Sequence, residues 1–263
     1  LIIFLFVSAL FINVNIHSQN CSAEKIKAYE YLDSKGEVYF SFEVFDKARI
    51  NEISKIISVD NVKEEKVFAY ANRSEFEEFL KLCIPFTVLP HPGDVNFDLN
   101  MKDSPAELME WDSYPTYEAY VAMMNQFAAS YPNLCRIVNI GTTVQGRQIL
   151  FAVLSDNVNM PEAEPKVMYT SSMHGDETTG YVLMLRLINT LLTGYGSISQ
   201  YTNLFNNTEI WINPLGNPDG TYRSGNSTVN GAIRGNANNI DLNRNYPGTD
   251  YYGNPNLQPE IIN

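Results

Sequence analysis

Strand-like and helix-like segments alternate along the second half of this chain, and that alternation constrains the fold more than any other feature. Helical apolar spacing follows Thr116 and recurs over Glu177–Gly196. Short apolar runs typical of strands occur at CRIVNIG, ILFAVLS, KVMYTSS and TEIWINP. This alternation predicts an α/β fold with a mainly parallel, mixed sheet and helices on both faces.

A different order of elements precedes this region. From EVYFSFEVF to FTVL the pattern is strand, helix, two strands, helix and strand. This is the split βαβ plan of a small ferredoxin-like α+β domain, and another small α+β module is the alternative. We therefore predict this domain over residues 36–90, a linker without periodicity over residues 91–112, and a larger domain over residues 113–263.

The chain begins with the apolar run LIIFLFVSALFI and becomes polar at NVNIHSQNC. About a dozen apolar residues are too few to span a bilayer, which needs roughly 20, but they match the core of a secretory signal peptide. A buried N-terminal strand or helix is the alternative. We predict a signal peptide over residues 1–19, incomplete at its start, and a secreted, periplasmic or cell-surface protein.

The charge of the chain narrows the class of partner. Eighteen basic residues stand against thirty acidic ones, which gives a formal net charge of −12. An acidic surface repels phosphate backbones and anionic lipids, so nucleic acid and membrane are not expected as partners. The three cysteines form no CxxC pair and leave at least one thiol unpaired, so they define no disulfide framework.

A histidine and a glutamate stand three residues apart where the strand KVMYTSS should end. These are His174 and Glu177. Ligands of open α/β sheets bind beyond the carboxyl ends of strands, and residues three apart share one face of a helical turn. Imidazole nitrogen and carboxylate oxygen suit zinc. Taken alone, the pair fits an ordinary surface turn as well.

A second polar segment, IRGNANNIDLNRNYP, carries Arg234, Asn243 and Arg244. Guanidinium groups form forked, two-point contacts with carboxylates, which lysine cannot imitate. An adjacent arginine and asparagine can therefore bind a free carboxylate, while a separate arginine can polarise a carbonyl. Surface salt bridges are the alternative for either arginine.

Together these motifs resemble the zinc carboxypeptidase (metallocarboxypeptidase) family, in the form found in its carboxypeptidase N and E branch. MHGDE resembles the zinc motif H-x-x-E, and R-x6-DLNRNYP resembles that branch's version of the later segment. NPDG at residues 217–220 is similar to the family's turn after the next strand, and GRQ at residues 146–148 to its early strand-turn-strand. The resemblance runs from about Tyr114 to the end of the chain.

The resemblance implies an enzyme that removes C-terminal residues from peptides or proteins by means of zinc-activated water. It implies that His174 and Glu177 are two zinc ligands and that Arg234 is catalytic, stabilising the oxyanion of the scissile carbonyl. It also implies that Asn243 and Arg244 bind the terminal carboxylate of the substrate. The small first domain is similar in plan to the inhibitory propeptides of some family members.

The sequence also departs from the family pattern. A working member needs a third zinc ligand, a later histidine, and a later general-base glutamate, yet His174 is the last histidine here. We therefore expect a fragment cut at both ends and inactive as given, rather than an evolved inactive form. His91, flanked by prolines, is expected in the linker rather than as a substitute ligand, and Asp219 is expected to be a turn residue.

Two other functions stay open at this point. One is a related zinc amidohydrolase that acts on acylamino acids or cell-wall peptides. The other is a non-catalytic module that binds peptide C-termini through Asn243 and Arg244.

Overall fold

The structure is a computed structural model that describes residues 23–94, 99–247 and 256–262. The chain divides into two compact units, Leu1–Pro92 and Gly93–Asn263. The predicted signal peptide lies outside the described residues. Among the helices that the structure describes, none is both long and apolar enough to cross a membrane.

The first unit contains a four-stranded antiparallel sheet. Its strands are β1 (Glu37–Glu43), β2 (Ser58–Lys63), β3 (Lys66–Asn72) and β4 (Phe86–Val88), arranged in the order β2-β3-β1-β4. Its helices are α1 (residues 23–34), α2 (Lys47–Ile53) and α3 (Arg73–Leu80). From β1 to β4 the elements follow the predicted order, and α1 precedes them as a helix that the sequence pattern did not indicate.

Local sequence explains how α3 packs on this sheet. Asn72 accepts a hydrogen bond from the backbone N–H of Glu75, whose carboxylate accepts one from the backbone N–H of Asn72, so the two form a capping box. Three residues of the helix and sheet, Phe40, Phe76 and Phe79, are fully buried against one another. The cap therefore fixes the start of a helix whose apolar face completes the core of the first unit.

His91 belongs to this first unit, although the sequence places it in a linker. Its ring is buried, and Nε2 lies 2.8 Å from Oε1 of Glu37 on β1. The extended backbone favoured by the neighbouring prolines continues the pairing of β4, since Leu89 N–H donates to the carbonyl oxygen of Tyr39 at 2.9 Å. The segment that contains the prolines therefore extends the edge strand β4 and stays packed in the first unit.

The second unit contains two sheets. Strands β5 (Met101–Lys102) and β6 (Tyr114–Pro115) form a short parallel pair. The larger sheet is formed by β7 (Cys135–Thr142), β8 (Gln148–Leu154), β9 (Lys166–Thr170) and β10 (Glu209–Asn213), in the order β7-β8-β10-β9. The helices are α4 (Tyr117–Ser130), α5 (Thr178–Gly194), α6 (Ser199–Phe205), α7 (Pro218–Thr221) and α8 (Pro259–Ile262).

The larger sheet is mixed, as predicted, but the expectation of mainly parallel pairing is wrong for the described strands. Only β9 and β10 pair in parallel, while β7 with β8 and β8 with β10 are antiparallel. The connection from Thr142 to Gln148 is too short for the crossover that parallel neighbours require. It turns instead through Gly146, whose φ of +82° lies in the left-handed region.

The core of the second unit holds one face of this sheet against two helices. Buried side chains from β8, β10, α4 and α5 meet there, among them Ala152, Ile212, Tyr120, Tyr181 and Leu185. As predicted, Thr116 caps α4, accepting a hydrogen bond from the backbone N–H of Ala119. The packed helices and strands give the loops beyond β9 and β10 a rigid support.

Part of the segment predicted as a linker also contacts the second unit. Leu108, in a 3-10 turn at Pro105–Leu108, is buried in the same core. Trp111 packs against that core as a partly buried side chain. Residues 99–112 thus belong to the second unit through apolar contacts. The sequence did not predict these contacts, because the apolar residues of this segment have no helical or strand periodicity.

A buried ion pair joins the β7–β8 turn to α7. Asp219 is fully buried, and its Oδ1 lies 2.8 Å from Nη1 of Arg147. The same carboxylate accepts hydrogen bonds from the hydroxyl of Thr143 at 2.8 Å and from the backbone N–H of Gln145 at 2.9 Å. Each oxygen of this buried charge therefore has a partner, as stability requires.

We expect Asp219→Ala to lower the free energy of unfolding by about 3–5 kcal/mol, because the mostly buried guanidinium of Arg147 then loses its carboxylate. Urea unfolding of the second unit measures the loss. Lys166→Ala is the control, since Lys166 pairs with Glu209 but is largely exposed, and should cost less than about 1 kcal/mol. Equal losses in the two variants would contradict this account of the buried pair.

Candidate active site

The loop after β9 carries the two side chains predicted to bind one metal ion. β9 ends at Thr170, and Glu177 is the residue immediately before the first turn of α5. Nδ1 of His174 lies 2.9 Å from Oε1 of Glu177. His174 is buried, whereas the side chain of Glu177 is more than half exposed. The two donor atoms thus lie side by side beyond the carboxyl end of β9.

The second ring nitrogen of His174 contacts Asp241, a residue that the sequence analysis did not single out. Nε2 lies 3.1 Å from Oδ1 of Asp241, and Oδ2 of the same carboxylate accepts a hydrogen bond from Nε of Arg234 at 3.1 Å. Asp241 and Arg234 are both buried. One carboxylate therefore connects the predicted zinc ligand with the predicted catalytic arginine.

Asp241 also begins the turn that carries the predicted carboxylate-binding pair. Its Oδ1 accepts a hydrogen bond from the backbone N–H of Asn243 at 2.8 Å, at the start of the 3-10 turn Leu242–Arg244. Nη1 of Arg244 donates to the carbonyl oxygen of Asn243 at 3.3 Å. Asn243 and Arg244 are partly buried. The structure thus brings both residues into the segment that contacts His174.

A signal for Asp241 was present in the sequence. Histidine ligands of metals commonly donate their second N–H to a carboxylate, and loss of such a partner typically weakens metal binding. Asp241 is the acid directly before Leu-Asn-Arg. Its pairing with His174 depends on a tertiary contact between positions 67 apart, however, so local spacing did not indicate it.

His174, Glu177, Asp241 and Arg234 form a contiguous cluster. Its two carboxylates stabilise positive charge at the imidazole. Burial alone lowers the pKa of His174, but hydrogen bonds with Asp241 and Glu177 outweigh it and raise the pKa to about 9. The hydrogen bond with His174 in turn lowers the pKa of Glu177, and the nearby charge of Arg234 acts in the same direction. A cation at this position is therefore favoured by its surroundings.

The residues present fit a zinc ion. Imidazole nitrogen and carboxylate oxygen are ligand types that zinc takes in proteins, and Nδ1 of His174 and Oε1 of Glu177 are adjacent. The contact of Nε2 with Asp241 is of the kind that orients a metal-binding histidine. Zinc can thus be held through Nδ1 while Asp241 keeps the ring in place.

We expect Asp241→Asn to weaken zinc binding by roughly 10–100-fold, because the amide cannot replace a charged acceptor for both His174 and Arg234. Competition with a chelator measures the affinity in protein produced from its complete reading frame. Asp46→Asn is the matched control, since Asp46 also accepts a hydrogen bond from a backbone N–H two residues on but belongs to the first unit. Unchanged affinity in Asp241→Asn would contradict the assigned role.

An α/β sheet with imidazole and carboxylate donors beyond a strand end is typical of α/β metalloenzymes. The family model for zinc carboxypeptidase matches residues 120–259, which is more than half of the chain and includes every residue of the cluster. The chain therefore belongs to the zinc carboxypeptidase family, whose metal is Zn²⁺.

Known relatives support this assignment. Carboxypeptidase D of Homo sapiens is 36% identical over 151 residues, which cover 57% of this chain and 11% of the relative. The zinc carboxypeptidase of Saccharothrix mutabilis subsp. capreolus is 34% identical over 140 residues, which cover 53% of this chain and 32% of the relative. This chain thus spans about a tenth of the length of the first relative and about a third of the length of the second.

A solved structure shares the fold. The carboxypeptidase A of Helicoverpa armigera aligns with 87% of this chain and 65% of its own chain, with a TM-score of 0.56 and 20% identity. At this identity the similarity shows a common fold and no more.

Proposed function

We propose that this protein is a metallocarboxypeptidase that removes C-terminal residues from peptides or proteins. The observation that carries the proposal is the contact of one carboxylate, Asp241, with both His174 and Arg234. That cluster lies within the region matched by the zinc carboxypeptidase family. It joins a pair of metal-ligand side chains to a guanidinium group, and these are two of the parts that metal-assisted hydrolysis of an amide bond uses.

In this proposal His174 and Glu177 would be two of the ligands that hold the zinc ion. Zinc, when bound, supplies a water of lowered pKa and polarises the carbonyl of the scissile bond. The guanidinium of Arg234 donates to the carbonyl oxygen as negative charge develops on it. Asp241 orients both the imidazole and the guanidinium, so that the two groups approach the substrate in a fixed arrangement.

Asn243 and Arg244 restrict cleavage to the chain end. A guanidinium and an amide can together hold the two oxygens of a terminal carboxylate, and only a substrate's last residue offers that group. The position of Asn243 and Arg244 supports this role, because both lie in the turn that Asp241 begins. A peptide C-terminus bound there presents its last amide bond near the group that polarises it.

Three substrates with the same last residue test this function. They are a peptide with a free C-terminus, the same peptide with a C-terminal amide, and the N-acyl derivative of the last amino acid. We expect chelator-sensitive hydrolysis of the free peptide and little or none of the amide. Preference for the N-acyl amino acid would indicate the related amidohydrolase instead. Binding of the free peptide without hydrolysis would indicate a non-catalytic module.

We also propose that the first unit is a ferredoxin-like domain similar in plan to a propeptide, centred on residues 36–90. Its support is the antiparallel strand order β2-β3-β1-β4 with one helix after β1 and one after β3. The fold shared with the H. armigera enzyme also covers more of the chain than Gly93–Asn263 contains. Cooperative unfolding of residues 23–92 expressed alone would support an independent domain, and an unfolded product would oppose it.

We further propose that the protein is secreted, periplasmic or exposed at the cell surface, with peptides as its partners. The apolar start of the chain supports this location, and membership of the zinc carboxypeptidase family supports peptides as partners. N-terminal sequencing of protein recovered outside the cytoplasm would test both the destination and the predicted cleavage after residue 19.

A further inference from the structure

Two motifs of the sequence have no part in the chemistry proposed above, yet they contact each other. GRQ lies in the β7–β8 turn, and NPDG forms most of α7. Their link is the buried pair of Arg147 and Asp219. Arg147 also donates to the side chain of Asn226 and to the carbonyl oxygen of Tyr222. It therefore contacts both ends of the segment 222–226, which follows α7. The position of α7 is therefore fixed from the β7–β8 turn.

On its opposite side, α7 contacts the loop that carries His174. The buried hydroxyl of Thr221 donates to the carbonyl oxygen of Gly175 at 2.8 Å. A Cβ added to Gly175 would lie 2.3 Å from the backbone carbon of Gly220, so the two backbones are in direct contact. Gly175, the residue next to His174, thus contacts α7 through one hydrogen bond and through a backbone contact that leaves no room for a side chain.

The same turn contacts the backbone around Arg234. Nδ2 of Asn217 donates to the carbonyl oxygens of Gly235 at 3.0 Å and Arg234 at 3.4 Å. The backbone N–H of Gly175 donates to the carbonyl oxygen of Arg234 at 3.2 Å. The loop of His174 and the loop of Arg234 are therefore held against one short element, and against each other.

From these contacts we infer that Thr221 is a positioning residue, which sets His174 relative to Arg234 through its hydrogen bond to Gly175. Asn217 acts on the Arg234 side of the same turn, and the Arg147–Asp219 pair holds the turn in place. The inference rests on the proposed function, because it concerns the same site. It assigns a purpose to two motifs that the proposed chemistry does not use.

Loss of the hydroxyl should affect turnover more than binding. Thr221→Val keeps the shape of the side chain but leaves the carbonyl of Gly175 buried without this donor, so the loop next to His174 shifts. A displacement of about 1 Å can lower the rate of catalysis by roughly 100-fold. Asn243 and Arg244 lie in a separate turn and continue to hold the substrate. We expect kcat to fall by about 10–100-fold, with KM within about threefold.

Kinetics of matched variants test this expectation in zinc-loaded protein produced from its complete reading frame. Thr221→Ser keeps the hydroxyl and should restore kcat to within about twofold of the original. Thr193→Val is the control, because Thr193 also donates to a backbone carbonyl, that of Asn189, but does so at the exposed surface of α5. It should leave both constants unchanged.

A second measurement does not depend on activity. The ring ¹⁵N–¹H signals of His91 and His174 in labelled protein can be assigned from the single variants His91→Gln and His174→Gln. In Thr221→Val the signals of His174 should shift, while those of His91, in the first unit, stay in place and report an intact fold there. Thr221→Ala, which adds no methyl group near Gly175, provides the same test if the valine variant folds poorly.

The outcomes separate the inference from the proposed function. A fall in kcat with shifted His174 signals, both reversed by serine, supports the positioning role. Unchanged kcat and unchanged His174 signals in both variants that lack the hydroxyl would overturn it. If the original protein hydrolyses no peptide, the proposed function fails and the His174 signals alone decide the inference, a shift supporting it and no shift overturning it.

Discussion

Zinc binding is expected to weaken by more than about 100-fold when His174 is replaced by alanine, and peptide hydrolysis should disappear with it. Removal of a residue that only orients a ligand costs roughly 10–100-fold in affinity, so removal of a ligand should cost more. In His174→Ala the carboxylates of Glu177 and Asp241 also lose the imidazole that contacts both of them. Metal analysis after exhaustive dialysis, followed by competition with a chelator, measures the change.

His91→Ala is the control for this prediction. His91 pairs with Glu37 inside the first unit, so its loss should leave zinc content unchanged even if that unit becomes less stable. A full equivalent of tightly held zinc in His174→Ala would remove His174 from the metal site. Loss of zinc in His91→Ala would show that the metal is bound elsewhere.

Replacement of Arg234 by alanine should lower kcat by about 10²–10³-fold and change KM little. A guanidinium that meets charge developing in the transition state contributes to turnover and not to binding of the ground state. Arg186→Ala is the control, since Arg186 is an exposed arginine on α5 in the same unit. It should retain full activity.

Stability and zinc content must be measured in the same Arg234→Ala protein. Asp241 loses its contact with Arg234 in that variant, and the orientation of His174 depends on Asp241. A fall in kcat with zinc content preserved supports a direct role in catalysis. An effect confined to KM would move Arg234 to substrate binding, and loss of zinc would make it part of the metal site's support.

The elements that the sequence predicted well are those whose apolar pattern is long and regular. Thr116 and the spacing after it predicted α4, and the apolar stripe after Glu177 predicted α5. The pairing of the sheet was predicted poorly, because strand order and direction depend on connections and not on the pattern within a strand. The turn between β7 and β8 is itself a signal of an antiparallel pair, because it is too short for the crossover that parallel neighbours require.

The residues of the candidate site also differ in how far the sequence could predict them. Spacing indicated His174 and Glu177 because the two residues are local partners in a single loop. Asp241 and Thr221 could not be found by spacing, since each acts across a fold contact, 67 positions from His174 and 46 from Gly175 respectively. The roles of such residues follow from hydrogen bonds between segments that only the packed second unit brings together.

Titration of zinc into metal-free protein tests the central claim most directly. Protein produced from its complete reading frame is mixed with a peptide that has a free C-terminus, and mass spectrometry follows the products as zinc is added. We expect hydrolysis to rise until about one equivalent of zinc is bound, and the first product to lack only the last residue. Hydrolysis that is independent of zinc, or cleavage at internal bonds, would contradict it.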